Sequence, residues 1–238
     1  MHFPFERGPT YTMADLRAFE QRLSQARKKD RALSNVWRIA KDEKMKRWIK
    51  IREETYPIKL LADHKGYADD ATFTLKPYGH RGIDADIFAA GETFNLQITI
   101  ADPVWADPSD PVQHGGYDHR LTLEALNRDG VLHGSGRLRR RGKEIISELP
   151  LTSVDDDRAA CVKGLLGALI RKSNHRGEPC RLLIYGRTYL MHLIDSDFEG
   201  VVRSSMAEFC AGGGTLPFER AYFVDENAGS FVEYPEDH

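Results

Sequence analysis

Apolar side chains recur at helical spacing in the first part of the chain. Residues 13 to 52 are highly charged and place apolar residues three and four positions apart, which is typical of amphipathic helices. Thr12 is a suitable N-cap residue, because its hydroxyl can accept a hydrogen bond from an amide of the first turn. The clearest apolar stripe comprises Leu16, Phe19 and Leu23. Pro57 lacks an amide hydrogen, so we expect the second helix to end or kink there.

After the helical region, apolar residues recur at every second position. Apolar and polar residues alternate in "ATFTLKP", "GIDADIFAA" and "TFNLQITIA", which predicts three consecutive strands. Gly91 and Glu92 lie between the last two strands, and a glycine in the first position favours a tight hairpin turn. The pattern therefore predicts an antiparallel hairpin that closes at Gly91–Glu92.

The later elements complete an α/β pattern. Residues 104 to 154 read as an insertion that contains a hairpin, and a helix, the short apolar strand "CRLLIYG", a second helix and two strands follow. This order predicts an α/β fold with a central mixed sheet flanked by helices. We divide the chain into an N-terminal helical extension, residues 1–41, and an α/β domain, residues 42–238.

One face of the predicted hairpin is unusually polar. With Gly91–Glu92 as the turn, Asp86 is expected opposite Gln97, and Asp84 opposite Thr99, all on the face opposite the apolar residues. Such a cluster is costly to bury unless a cation or a hydrogen-bond network satisfies it. Carboxylate and amide oxygens suit Mg²⁺. A solvent-facing sheet surface is the alternative.

Together with the element order, these residues resemble the PD-(D/E)XK nuclease superfamily. The resemblance implies a restriction-endonuclease-like αβββαβ core and Mg²⁺-dependent cleavage of DNA phosphodiester bonds. It implies that Asp86 is the metal-binding aspartate, that Gln97 stands at the second acid and that Thr99 stands at the lysine. Glu54, or its neighbour Glu53, corresponds to the helix glutamate found in many members. The implied metal ligands are Glu54, Asp86 and Gln97.

The chain departs from that pattern at two positions. Gln97 is neutral and would hold a metal more weakly than a carboxylate, and Thr99 cannot supply the cation that stabilises transition-state charge. Lys76 on the preceding strand, or Lys163 or Lys172 on the following helix, could take the role of the lysine. Otherwise the protein is a catalytically inactive module that binds nucleic acid or protein.

A basic run offers a contact for DNA. It comprises Arg137, Arg139, Arg140, Arg141 and Lys143. On a protruding hairpin these cations could follow a phosphate backbone, and the alternative is a solvated hairpin rim.

Composition bears on the remaining questions of partner, cellular compartment and oligomeric state. The chain has 238 residues and a formal charge of −2, so whole-chain charge does not favour nucleic acid. Three widely spaced cysteines form neither a zinc pattern nor a disulfide framework, which predicts a reducing cytoplasm. The sequence contains no apolar run of transmembrane length, so no membrane is expected. A regulatory homodimer formed through the amphipathic N-terminal helices is a third hypothesis.

Overall fold

The computed structural model describes residues 3–29, 43–80, 82–102, 137–141, 144–148, 154–186, 195–225 and 230–235. The helices are α1 (Met13–Lys29), α2 (Glu43–His64), α3 (Val154–Ser173) and α4 (Asp195–Ala211). The strands are β1 (Thr10–Thr12), β2 (Thr72–Leu75), β3 (Ala85–Ala89), β4 (Glu92–Ala101), β5 (Arg137–Arg141), β6 (Glu144–Glu148), β7 (Arg181–Gly186), β8 (Ala221–Asp225) and β9 (Phe231–Tyr234).

The main sheet has the strand order β1-β2-β3-β4-β7-β8-β9, and β5 and β6 form a separate two-stranded sheet. Strands β1 to β4 pair antiparallel, β7 lies parallel to both β4 and β8, and β9 returns antiparallel. The prediction of an α/β fold with a central mixed sheet flanked by helices is therefore confirmed. The short strand β1 was not predicted.

Helices cover both faces of the sheet, and each face has its own buried apolar cluster. The first cluster contains buried residues of α1, α2 and strands β2 to β4, including Phe19, Ile58 and Ile87. The second contains buried residues of α3, α4 and strands β4, β7 and β8, including Leu169 and Phe223. Central strands that are covered on both faces read as continuous apolar runs, which explains "CRLLIYG".

Helix α1 packs its apolar stripe inside the chain. Thr12 caps the helix as predicted, because its hydroxyl accepts a hydrogen bond of 3.1 Å from the Asp15 amide. Leu16, Phe19 and Leu23 are buried in the first apolar cluster. This stripe is therefore not available to a second chain, which leaves the predicted dimer without support from α1.

The N-terminal residues contribute to the same core. Phe3 and Phe5 are buried against Phe19 with ring centroids 5.1 Å and 5.4 Å from it. Of the two outcomes expected at Pro57, a helix end is wrong, since α2 runs through Pro57 to His64, and a kink stays a prediction. Packing of α2 on the sheet compensates for the hydrogen bond that proline removes.

The β3–β4 hairpin closes one residue earlier than predicted. Ala89 pairs with Glu92, so the turn residues are Ala90 and Gly91, with φ of 53° and 78°. Two positive φ values are the requirement of a type I′ turn. Asp86 consequently pairs with Asn95 and not with Gln97. The predicted register is wrong by two residues, but the predicted face is right because side chains alternate with a period of two.

Replacing Ala90 by asparagine is expected to stabilise the protein. Alanine at φ of 53° is strained, whereas asparagine tolerates this conformation and Asn-Gly is a preferred type I′ pair. We expect the free energy of unfolding in urea to rise by about 0.5–1 kcal/mol. Gly91→Ala is the matched control and should lower it. A less stable Ala90→Asn variant would contradict the assigned turn.

Candidate functional site

The polar residues of β3 and β4 share the sheet face that lies opposite α1 and α2. Ala85, Ile87 and Leu96 belong to the first apolar cluster, so alternation sends Asp86 and Gln97 to the other face. Asp86 is half-buried, and Gln97 is only 6% exposed. The predicted grouping of these two side chains on one face is therefore correct.

Asp86 forms an ion pair with Lys76. The Lys76 ammonium contacts Oδ2, and the Asp86 side chain remains 30% exposed. Its other oxygen, Oδ1, is buried and has no hydrogen-bond partner among the described residues. Of the lysines considered for the missing position, Lys76 is the one that contacts Asp86. Lys163 is exposed on α3.

Gln97 has a fixed orientation. Its Nε2 donates a hydrogen bond of 2.5 Å to the Gly82 carbonyl. Because a carbonyl can only accept, the amide nitrogen must face Gly82 and the amide oxygen must face away. That oxygen, Oε1, is buried and finds no partner in the part of the chain that the structure describes.

The unpartnered oxygens of Asp86 and Gln97 lie on neighbouring strands. Gln97 is two residues beyond Asn95, the register partner of Asp86, so the pair is diagonal. Diagonal Cβ atoms are about 7–8 Å apart, a distance that two extended side chains can span. Buried acceptors without partners are rare in proteins and point to a water, an ion or a donor from elsewhere.

Gly82 lies close to both Gln97 and His175, and sequence reasoning missed Gly82 and His175. A Cβ atom at Gly82 would lie 2.9 Å from His175 Cε1 and 3.2 Å from Gln97 Nε2. Gly82 has φ of 76°, which favours glycine. His175 stacks on Phe218 with ring centroids 5.2 Å apart. A glycine just before a strand was the available signal for this close approach.

Asp84 has a structural role at the open end of the β3–β4 hairpin, away from the turn. Its Oδ2 accepts a hydrogen bond of 2.7 Å from the Ile98 amide, so the carboxylate continues the β3–β4 ladder beyond β3. Burial raises the pKa of Asp84, and the Ile98 amide and the charge of Lys172 oppose this shift. Burial also lowers the pKa of Lys172, and the charge of Asp84 opposes that shift.

Glu54 is engaged by Arg7. It projects from α2, where Arg7 Nη2 donates to both of its oxygens, one of them at 2.6 Å. Arg7 also donates to the Lys76 carbonyl and lies 3.6 Å above the Tyr78 ring. Among the described residues, no hydrogen bond or ion pair links Glu54 to Asp86 or Gln97, and a metal site shared by the three stays a prediction.

Glu54 faces a cleft of about 250 Å³. Its lining also includes Glu53, Asp84, Thr99, Ile98 and Ile100. Burial raises the pKa of Glu54 to about 7, although Arg7 opposes the shift. The predicted residues Glu53 and Thr99 thus line the same cleft as Glu54, and Asp84 lines it too, two residues before Asp86.

The predicted DNA-contact arginines lie on β5. Arg137 pairs with Glu148 and Arg141 pairs with Glu144, while Arg139 and Arg140 pair with isoleucines of β6. Lys143 lies outside the described residues.

Comparison with known proteins gives no family assignment. No protein-family model, curated protein or solved structure matches the chain significantly. Within the described ranges, no three His, Cys, Asp or Glu side chains lie in positions to share a metal ion. None of the described helices has an apolar stretch long enough to cross a membrane.

Glu54 is expected to make stability depend on pH. Its pKa of about 7 in the folded chain exceeds the ordinary value of 4.5, so the folded state binds the proton more tightly than the unfolded state. The free energy of unfolding should fall as pH rises from about 4.5 to 7, and Glu54→Gln should remove this contribution. Urea unfolding of both proteins across this range measures it. Equal slopes for the two proteins would contradict the shift.

Gly82→Ala is expected to destabilise the protein more than Gly79→Ala. Both glycines have φ of 76°, so both variants carry the same backbone strain. Only Gly82 faces close neighbours, since nothing lies within 4 Å of a Cβ atom at Gly79. We expect an additional loss of about 1–3 kcal/mol for Gly82→Ala in urea unfolding. Equal losses of unfolding free energy in the two variants would show that the side chains of His175 and Gln97 move aside at no cost.

Proposed function

We propose that the chain is a divergent nuclease-like protein that hydrolyses DNA phosphodiester bonds with Mg²⁺ bound at Asp86 and Gln97. One observation carries the proposal: Asp86 Oδ1 and Gln97 Oε1 are buried, unpartnered acceptors among the described residues, and they occupy one sheet face. Acceptors without donors are the groups that a hard cation satisfies.

The donor set fits Mg²⁺. This ion commonly takes one or two carboxylates from the protein and completes its coordination with waters and substrate phosphate oxygens. Asp86 would supply the carboxylate, and Gln97 would supply a neutral oxygen whose direction is set by the hydrogen bond to Gly82. When bound, Mg²⁺ supplies Lewis-acid polarisation of the phosphate and lowers the pKa of a coordinated water.

Lys76 supplies the cation that Thr99 lacks. Its ammonium contacts Asp86 Oδ2, which leaves Oδ1 for the metal and holds positive charge beside the reacting phosphate. A fixed cation at this position stabilises the negative charge that develops on the phosphate oxygens during hydrolysis. Lys172 is the second basic residue of this region, because its charge interacts with Asp84.

The order of elements adds support. Helix α2 precedes the antiparallel strands β2, β3 and β4, and α3 then leads to β7, which is parallel to β4. This order agrees with the αβββαβ core that the resemblance implies, and Asp86 lies on its second strand. Glu54 has no part in the proposed site, since Arg7 engages both of its oxygens.

A second candidate is a catalytically inactive module of the same fold. The specific observation in its favour is the cleft beside Glu54, where β4 presents Ile98, Ile100 and Thr99, the residue that stands at the lysine. An inactive module would bind DNA with a strong dependence on salt but leave it intact.

Cleavage of a labelled single-stranded oligonucleotide and nicking of plasmid DNA, each in Mg²⁺ or Mn²⁺, test the proposal. We expect cleavage by the wild-type protein and a loss of at least about 100-fold in Asp86→Asn, because the only carboxylate ligand is removed. Asp70→Asn is the matched control, since Asp70 is an exposed acid in a turn outside the site. Undiminished cleavage by Asp86→Asn would overturn the assignment, and binding without cleavage would establish the second candidate.

Gln97→Glu provides an independent test by metal binding. A carboxylate in place of the amide restores the second acid, so we expect Mn²⁺ to bind roughly tenfold more tightly by calorimetry. Gln21→Glu is the control, because Gln21 is exposed on α1, which packs on the other face of the sheet. Unchanged Mn²⁺ affinity in Gln97→Glu would exclude Gln97 as a ligand.

A further inference from the structure

An exposed aromatic ring lies beside the proposed metal site. Phe88 is two residues from Asp86 on β3, so both side chains project from the same face, and Phe88 is 49% exposed. Its register partners on the two neighbouring strands are Thr72 and Thr93. These flanking side chains are small, so they leave the face of the ring accessible.

We infer, on the basis of the proposed function, that the substrate is single-stranded DNA and that Phe88 stacks against one of its bases. Residues two apart along a strand are about 7 Å from each other, which is comparable to the reach from a phosphate to the base of a neighbouring nucleotide. A strand that stacks one base on Phe88 can therefore place a phosphate near Asp86 and Lys76.

The sheet surface around Phe88 has the character of a single-strand platform. Within the described residues, the second apolar cluster draws its sheet residues from β4, β7, β8 and β9, and it includes none from β2 or β3. This part of the face carries polar residues, among them Thr74 and Asn95. Open sheets that combine polar positions with aromatic rings are a common way to bind unpaired bases.

Positive charge lies at Asp86 and further along β4 in the direction away from Phe88. Lys76 contacts Asp86, and α3 ends with Arg171 and Lys172 in its last turn. Arg171 Nη2 donates to the Ile100 carbonyl at 3.2 Å, which locates this cation at the end of β4. A phosphate backbone that runs from Phe88 toward α3 would therefore meet complementary charge.

Phe88 differs from the other exposed aromatic residues. Tyr78 lies under the Arg7 guanidinium, on the side of Glu54. Tyr234 belongs to β9, at the opposite edge of the sheet. In a DNA duplex each base is already stacked between neighbours, so a ring on a sheet surface reaches a base readily only in an unpaired strand.

Fluorescence anisotropy in EDTA tests the inference without cleavage. The probes are a labelled oligothymidylate of about 15 nucleotides and the duplex of the same length. We expect tighter binding to the single strand, a loss of about 5-fold or more in Phe88→Ala, and near wild-type affinity in Phe88→Trp. Tyr234→Ala is the control and should bind as the wild type does. In Phe88→Trp, the single strand should also quench tryptophan fluorescence.

The outcomes separate this inference from the proposed catalysis. Equal affinity for the duplex, full affinity in Phe88→Ala, or unquenched tryptophan in Phe88→Trp would each overturn the role of Phe88. Single-strand binding that depends on Phe88, without cleavage of the labelled oligothymidylate in Mg²⁺, would support the inference and refute catalysis. Nicking of duplex plasmid that is unaffected by Phe88→Ala would support catalysis and refute the inference.

Discussion

The pairing of β3 with β4 determines which polar groups meet. A type I′ turn at Ala90–Gly91 sets the register, and the burial of Ile87 and Leu96 against α1 and α2 sets the face. A slip of one residue would turn these apolar side chains outward and bury Asp86 in their place, at a cost of several kcal/mol. Because the core must bury Ile87 and Leu96, Asp86 and Gln97 necessarily project from the opposite face.

The apolar–polar periodicity predicted the strands and the sheet face of each side chain, because an error of two residues in the pairing register leaves every side chain on the same face. It could not predict the partner of Asp86, since that depends on alanine adopting φ of 53° at position 90. Nor could it predict that Arg7 engages Glu54, because helical spacing does not tell which residue outside the helix a side chain contacts. Strand β1, with three residues, is too short to show alternation.

Gln97 and Glu54 illustrate two ways to keep a polar group inside a protein. Gln97 is neutral and satisfies only its nitrogen, so its oxygen remains in a fixed direction without a partner among the described residues. Glu54 is ionisable and is held by Arg7, yet burial still raises its pKa to about 7. An amide keeps a ligand oxygen at any pH, whereas a buried acid changes its charge near neutrality.

The contacts of Arg7 join parts of the chain that are remote in sequence. Its guanidinium connects to Glu54 across 47 residues and to Lys76 across 69 residues. Contacts of such long range require extensive loop closure, and loop closure slows folding. The cleft thus owes the positive charge that opposes the burial of Glu54 to a segment far from α2 in sequence, and truncating Arg7 would leave this carboxyl without it.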